Sequence, residues 1–374
     1  MATTTLNRTP FHAFHVDHGA RMVDFAGWEM PLRYHSIIEE HRQTRRSGGL
    51  FDVSHMGRLR FCGRDARAFL DRVCTRQILG MADGQCRYSL VCNDQGGCRD
   101  DVLVYRLDED DYLMVCNAAN REKLLEHFAR VKGDFVFKLD DRTLSSGMVA
   151  IQGPQVIGLL SGYSSEIASL KRFRFMRLNL MALELIISRT GYTGEDGVEV
   201  IFWAGSVLAK SIIKLLLKDV DSAGAAVKPA GLGARDTLRI EAAMPLYGHE
   251  ITEAIDPLSA GLDFAVKLDK GLQDEQVGRF IGQDALRRIR EQGPKRRRVG
   301  LLLEGRRSAR PAMPVFRGDA EVGSVTSGCL SPTLDRSVAM AYVDADAAQT
   351  GTALRVELAR ASAEAEVVDL PFYP

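Results

Sequence analysis

Between residues 87 and 117 the chain reads as a β-meander, and the two-residue repeat of its strands limits what the rest of the fold can be. A first strand covers Arg87 to Asn93, the turn Asp94-Gln95-Gly96-Gly97 reverses the chain, and a second strand opens on Cys98-Arg99-Asp100-Asp101. After the acidic loop Leu107 to Asp111, a third strand is expected over Tyr112 to Asn117. Successive strand side chains point to opposite faces, so Asp101, Leu103 and Tyr105 share one face and Asp100, Val102 and Val104 the other. One acid is free to be wet while the other is buried. Pairing Arg106 with Tyr112 across the loop counts Asp101 opposite Asn117, a match that a slip of one residue destroys. In that register the Asp101 carboxylate lies beside an amide and two phenolic hydroxyls, those of Tyr88 and Tyr105. The competing account makes both acids turn residues held by the polar loop Asp94 to Gly97. The pattern alone leaves both open.

With 374 residues the chain has room for two or three packed units. An apolar content of 45% and a charged content of 26% are ordinary for a globular protein, which sets disorder aside. The longest apolar stretches, Ile212 to Leu217 and Val299 to Leu303, are too short to cross a bilayer, so a soluble protein without membrane association is expected. The amino end lacks the apolar centre of a secretory signal, and no long cleaved leader is expected. Seven cysteines, an odd number with no Cys-x-x-Cys, fit a reduced, cytosol-like compartment. A formal net charge of zero argues against a general nucleic-acid binder, which carries a basic excess.

The rest of the chain mixes helices and strands without regular alternation, an α+β pattern. Helices are expected over His35 to Arg46, Asp65 to Cys74 and Ser206 to Leu217. Another, Ala119 to Val131, spaces Leu124, Leu125, Phe128 and Val131 to pack one face on the meander. Strands are expected at Gly147 to Gln152, Leu183 to Ser188 and Gly197 to Phe202. From Val299 the pattern changes to five short strands, Val299 to Glu304, Glu321 to Thr326, Ser337 to Val343, Ala353 to Leu358 and Glu364 to Asp369, which suggests a small terminal β-barrel. The transition falls in Glu291 to Arg298, giving a first region over 1–280 and a second over 281–374.

Several polar groups invite functional readings. His12, His15 and His18 at steps of three do not converge on one tetrahedral ion, and no ligand cluster lies nearby in sequence, so no metal is expected. Gly231-Leu232-Gly233 lacks the third glycine and the strand context of a dinucleotide loop, and Gly231 to Met244 reads instead as a helix. Arg235 falls in its first turn, where the helix dipole disfavours a cation, so it needs a partner. That partner is either Asp236, Glu241 or another carboxylate, or an anionic substrate group. Glu199 either occupies the wet face of an edge strand or serves a ligand. Ten basic residues between Arg287 and Arg310 form either a solvated surface or a docking face for an acidic partner.

Several separated strings resemble one family. Phe25-Ala26-Gly27-Trp28-Glu29-Met30-Pro31, Phe51-Asp52-Val53-Ser54-His55-Met56-Gly57, Gly96 to Tyr105, Arg189 to Gly197, Gly231 to Arg239, Pro245 to Glu250, Val325 to Gly328 and Leu370 to Tyr373 follow, in order, the T proteins of the glycine cleavage system, the aminomethyltransferases. The resemblance implies a three-domain cloverleaf, with two intertwined α+β units around a central folate site and a C-terminal barrel. It implies transfer of an aminomethyl group from the lipoyl arm of H protein to tetrahydrofolate, as co-substrate, giving 5,10-methylenetetrahydrofolate, ammonia and the dihydrolipoyl carrier. On this resemblance Asp101 is the catalytic acid and Asn117 a folate contact. Glu199 accepts hydrogen bonds from the pterin edge, Arg235 meets the glutamate tail, and Tyr88, Tyr105, Tyr192 and Met56 line the pocket. Asp100 is then left to turn and solvent. Cys98 and Arg99 replace an aliphatic pair, and Phe264 stands where the family commonly has tryptophan. A cytoplasmic location follows, or the mitochondrial matrix in a eukaryote. The alternatives are another folate-dependent transferase or demethylase of the same fold, and a non-catalytic folate-binding subunit.

Overall fold

A computed structural model describes residues 5–162, 164–180, 183–203, 224–272 and 278–373; the helix expected over Ser206 to Leu217 lies outside them. The meander forms as its alternation requires, as part of a five-stranded sheet. In order, its strands are Cys86–Cys92, Cys98–Asp108, Asp111–Cys116, Gly57–Cys62 and Lys138–Asp141. Arg106 pairs with Tyr112 and Val102 with Cys116, so the next step of the ladder sets Asp101 opposite Asn117.

A six-stranded sheet runs in the order Phe175–Leu180, Leu183–Ser188, Gly197–Phe202, Gly147–Gln152, Gly49–Asp52 and Lys228–Pro229. Its inner face, through Phe51, Met148, Ala150, Ile186 and Ile201, packs on Tyr105, Leu113 and Val115 of the first sheet. Helix Leu232–Glu241 closes the same core with Ala234 and Leu238. On the far side of the five-stranded sheet, Val102, Val104, Met114 and Cys116 pack against Leu124 and Phe128 of helix Arg121–Val131 and Phe69 and Leu70 of helix Ala66–Val73. The expected amphipathic face therefore docks where its spacing directs it. The two sides of strand Cys98–Asp108 thus have different neighbours: Tyr105 faces the second sheet, and Val102 and Val104 face the helices.

The turn before the acids is fixed by glycine. Gly96 has φ +87°, and a Cβ on Gly97 would lie 1.8 Å from the Glu253 carbonyl oxygen, so that only a bare backbone fits there. Leu286 of helix Gln283–Gln292 packs on the same turn.

The terminal barrel is closed and has six strands: Arg296–Leu303, Ser337–Asp344, Ala320–Leu330, Pro314–Arg317, Ala353–Leu358 and Ala361–Val368. Pro314–Arg317 is the strand that the sequence pattern passes over, because only four residues follow Met313 before the Gly318 turn and the first is a proline.

Helix Leu232–Glu241 joins the barrel to the sheets through buried charge. Glu241 accepts hydrogen bonds from Arg45 at 2.9 Å, from the Ser331 hydroxyl and from the Thr333 amide and hydroxyl, and lies 3.1 Å from His41. Burial raises the Glu241 pKa, but His41, Ser331 and Thr333 more than offset it and bring it down from 4.5 to about 2. Its stabilising contribution is therefore complete above pH 4.5 and is lost as pH falls toward about 2. Glu241→Gln is expected to cost about 3 kcal/mol at pH 7, measured by urea unfolding, with the gap to the parent narrowing in acid. A variant as stable as the parent at pH 7 would remove Glu241 from this role.

Candidate functional site

The two adjacent acids point to opposite sides of their sheet, as strand alternation demands, but their exposures are the reverse of the assignment of Asp100 to turn and solvent. Asp100 is 0% exposed, while Asp101 is only partly covered. Asp100 lies under the turn Ala118–Asn120, which starts helix Arg121–Val131, and accepts three hydrogen bonds there. The Asn117 amide N–H donates at 3.0 Å, Asn117 Nδ2 at 2.8 Å and Asn120 Nδ2 at 2.6 Å. The correction has a simple cause: the strand begins at Cys98, so Asp100 is already inside the ladder, two residues past the turn.

Asp101 accepts from Asn117 Nδ2 at 2.7 Å and from the Tyr88 hydroxyl at 3.2 Å. Burial raises its pKa against both hydrogen bonds. Burial and then the Asp101 charge push Asp100 up to about 8. Among the described residues neither carboxylate has an ion-pair partner. Such a group can accept a proton or hydrogen bond from a ligand N–H, or stabilise a cation developing beside it.

The Tyr105 hydroxyl does not reach this carboxylate. It lies 3.1 Å from the Ser188 hydroxyl, Ser188 lies 2.8 Å from the Thr190 hydroxyl, and Thr190 donates to Glu199. The chain of hydroxyls crosses from one sheet to the other and ends on a carboxylate. Glu199 is 8% exposed on Gly197–Phe202, an interior strand paired on both sides, which overturns the edge-strand alternative. It shares its side with Ile201 and so faces the first sheet.

Arg235 is in the first turn of helix Leu232–Glu241, as expected, and the intrachain carboxylates proposed for it are engaged elsewhere. Asp236 binds Arg239, and Glu241 binds Arg45. Arg235 instead lies over the Tyr192 ring, 5.0 Å from its centroid, and its buried Nη1 has no hydrogen-bond partner among the described residues. Burial lowers its pKa, with the negative charge of Glu199 opposing. The Tyr192 hydroxyl donates to the Pro245 carbonyl at 2.5 Å. Burial raises the pKa of Tyr192, and its ring feels both the charge of Asp101 and that of Arg235. Met56 packs on the inter-sheet core that contains Tyr105.

Three further residues belong to this region. Asn120 falls inside the helix expected over Ala119 to Val131, and nothing in that spacing shows that it donates to Asp100. His55 is 4% exposed, stands edge-on to Phe25 with ring centroids 5.4 Å apart, and is pushed by burial down to about 4, with the Asp52 charge opposing and the Arg235 charge adding to the shift. Its motif string gave no sign of a role. Phe264, 64% exposed, stacks on Tyr88 with ring centroids 5.8 Å apart, so an aromatic ring covers the phenol that meets Asp101.

The groups set aside behave as structural residues. His15 bridges Asp52 and the Tyr34 hydroxyl, His12 meets Glu29, and among the described residues no cluster suits a metal. In the basic stretch, Arg290 pairs with Asp263, Arg296 with Asp344 and Arg306 with Asp335, which neutralises part of the proposed docking face. No helix among the described residues is long and apolar enough to cross a membrane.

Known proteins resemble the chain over nearly its whole length. Residues 11–270 match the GCVT N-terminal domain family, and residues 296–374 match the glycine cleavage T-protein C-terminal barrel domain. The aminomethyltransferase of Rubrobacter xylanophilus is 46% identical over 100% of this chain and 96% of its own, and that of Bacillus pumilus 41% identical over 98% and 99%. The crystal structure of glycine cleavage system aminomethyltransferase T from Bartonella henselae is 32% identical, with a TM-score of 0.89 and 98% of each chain covered. With both family domains matched in order and full-length relatives above two-fifths identity, the chain belongs to the aminomethyltransferases, the T proteins of the glycine cleavage system.

Proposed function

We propose that this chain transfers the aminomethyl group from the lipoyl arm of H protein to tetrahydrofolate. The sulfur–carbon bond of the S–CH2–NH2 group breaks, and the carbon forms bonds to two folate nitrogens as ammonia leaves. Those nitrogens lose two protons; one completes ammonia and the other the dihydrolipoyl thiol. The products are 5,10-methylenetetrahydrofolate, ammonia and the reduced carrier. The division into a folate-binding region over 1–280 and a barrel region over 281–374, and a cytoplasmic location, belong to the same proposal.

The observation that carries it is the Asp101 carboxylate, held by Asn117 and Tyr88 and without a cation among the described residues. An ion-paired acid would spend its charge on its partner. Asp101 keeps its charge for a folate N–H and for the iminium character that develops on the migrating carbon. Glu199, fixed by Thr190, is suited to accept both donors of the amino-pyrimidine edge of the pterin. Arg235 has an unused N–H for the glutamate tail, and Tyr192 beneath it presents a ring face. Tyr88 and Met56 line the pocket. Tyr105 supports Glu199 through Ser188 and Thr190.

Asp101→Asn is expected to lower methylenetetrahydrofolate formation from aminomethyl-loaded H protein by about 100-fold or more, while tetrahydrofolate binding measured by calorimetry persists. Turnover at the parent rate would withdraw the catalytic role of Asp101. Arg235→Ala removes a charge-assisted contact and is expected to weaken binding of polyglutamylated tetrahydrofolate about tenfold, with a smaller effect on a tail-less tetrahydropterin. Equal losses for the two ligands would refute tail recognition.

A further inference from the structure

Asp100 has no part in the chemistry described above, yet it is the more deeply buried of the two acids. All three of its hydrogen-bond partners are N–H donors, two of them supplied by Asn117. The Asn117 side chain has a single NH2 group. One of its hydrogens serves Asp100 Oδ1 at 2.8 Å, and the other serves Asp101 Oδ1 at 2.7 Å. The two carboxylates are therefore bridged by one amide, whose orientation is fixed from the Asp100 side by its own backbone N–H.

A purely structural account makes Asp100 a favourable charge at the start of helix Arg121–Val131. That helix already has Glu122 in its first turn, and an exposed acid there costs little. A fully buried acid beside a second acid, with no cation among the described residues paired to either, is a costly way to obtain the same effect. The arrangement is better explained by what it does to Asn117 and, through Asn117, to Asp101.

We infer that Asp100 is a positioning residue for aminomethyl transfer, holding the Asn117 amide so that its second hydrogen fixes the Asp101 carboxylate in the reactive orientation. The inference rests on the assignment of Asp101 as the reacting acid. It carries an electrostatic consequence, because two neighbouring carboxylates resist simultaneous ionisation. The other titratable groups facing the pair are Tyr88 from strand Cys86–Cys92, Cys98 at the start of their own strand, Cys116 from strand Asp111–Cys116 and Tyr192 from the loop before Gly197–Phe202. Each is neutral when protonated and becomes negative only on losing its proton, so none supplies a compensating positive charge. The Asp101 charge, together with burial, raises the pH at which Asp100 ionises.

The test compares Asp100→Asn, Asp101→Asn, Asn117→Ala and the double variant Asp100→Asn/Asn117→Ala, each in the full chain. Tetrahydrofolate and aminomethyl-loaded H protein serve as substrates. Asp100→Asn is expected to lower kcat about 10- to 100-fold with the KM for tetrahydrofolate within about threefold of the parent. The double variant is expected to be no slower than Asn117→Ala, because both changes release the same amide. A parent-like kcat in Asp100→Asn, or fully additive losses in the double variant, overturns the inference. Should Asp100→Asn not fold, Asn120→Ala keeps both acids and removes one donor that seats Asp100. Its kcat is expected to fall about three- to tenfold at constant KM, and an unchanged kcat overturns the inference equally. Activity retained in Asp101→Asn identifies failure of the underlying catalytic assignment instead.

Discussion

One primary amide, that of Asn117, holds two carboxylates on opposite sides of a β-sheet in a single hydrogen-bonded unit. This is possible only at the end of the ladder. Within a sheet, adjacent residues such as Asp100 and Asp101 point apart, and no side chain on a neighbouring strand reaches both. Asn117 succeeds because strand Asp111–Cys116 stops one residue before it, which frees its side chain to turn over the edge while its backbone N–H still reaches Asp100. The register of the meander, the length of its third strand and the turn into helix Arg121–Val131 all have to agree for that geometry to exist. Gly97, pressed against the Glu253 carbonyl, fixes the other end of the acid-bearing strand.

The second sheet is coupled to the first by the same kind of economy. Tyr105 lies two steps beyond Leu103 on the side that faces the six-stranded sheet, and its hydroxyl begins the chain through Ser188 and Thr190 to Glu199. A shift of either sheet by one residue breaks that chain. Helix Leu232–Glu241 sets the third side of the site. Its C-terminal half is anchored by Arg239, bonded to Asp236, Glu250 and the Ser327 hydroxyl, and by Glu241, bonded to Arg45, Ser331 and Thr333. Ser327, Ser331 and Thr333 come from the barrel region, so the barrel holds the helix whose first turn presents Arg235. The contrast along one helix is informative: Arg239 is saturated with partners, whereas Arg235 keeps a buried N–H unused.

How far the sequence discloses this site depends on the range of the interactions involved. Strand alternation and the Arg106–Tyr112 register are local, and they place Asp101 beside Asn117 and Tyr88 correctly. The strands Gly147–Gln152, Leu183–Ser188 and Gly197–Phe202 are likewise legible, because short apolar runs between turn residues leave few other options. Burial across elements is not local. Nothing in Gly96 to Tyr105 shows that the Ala118–Asn120 turn will cover Asp100, or that Tyr105 will find Ser188 eighty-three residues away instead of Asp101. The interior position of Glu199 requires knowing that its strand pairs with both Leu183–Ser188 and Gly147–Gln152. Family resemblance supplied candidate roles for these residues, but the hydrogen bonds that give each role a physical basis emerge only when both sheets are assembled.

The distribution of charge follows from what each region must do. Around the C-terminal half of helix Leu232–Glu241 the buried ions are paired and multiply hydrogen-bonded, so their desolvation is offset within the folded chain and they hold one geometry. Around Asp101 the offset is incomplete: two acids, the bridging Asn117 amide and its backbone N–H, the Asn120 amide, one phenol and, among the described residues, no cation. Desolvation there is balanced only partly by hydrogen bonds, which leaves both carboxylates with raised proton affinity. A ligand bringing N–H donors or a developing positive charge supplies what the protein withholds. On the proposed function, that unfinished balance distinguishes a site that binds and reacts from the buried ion pairs that only hold the fold together.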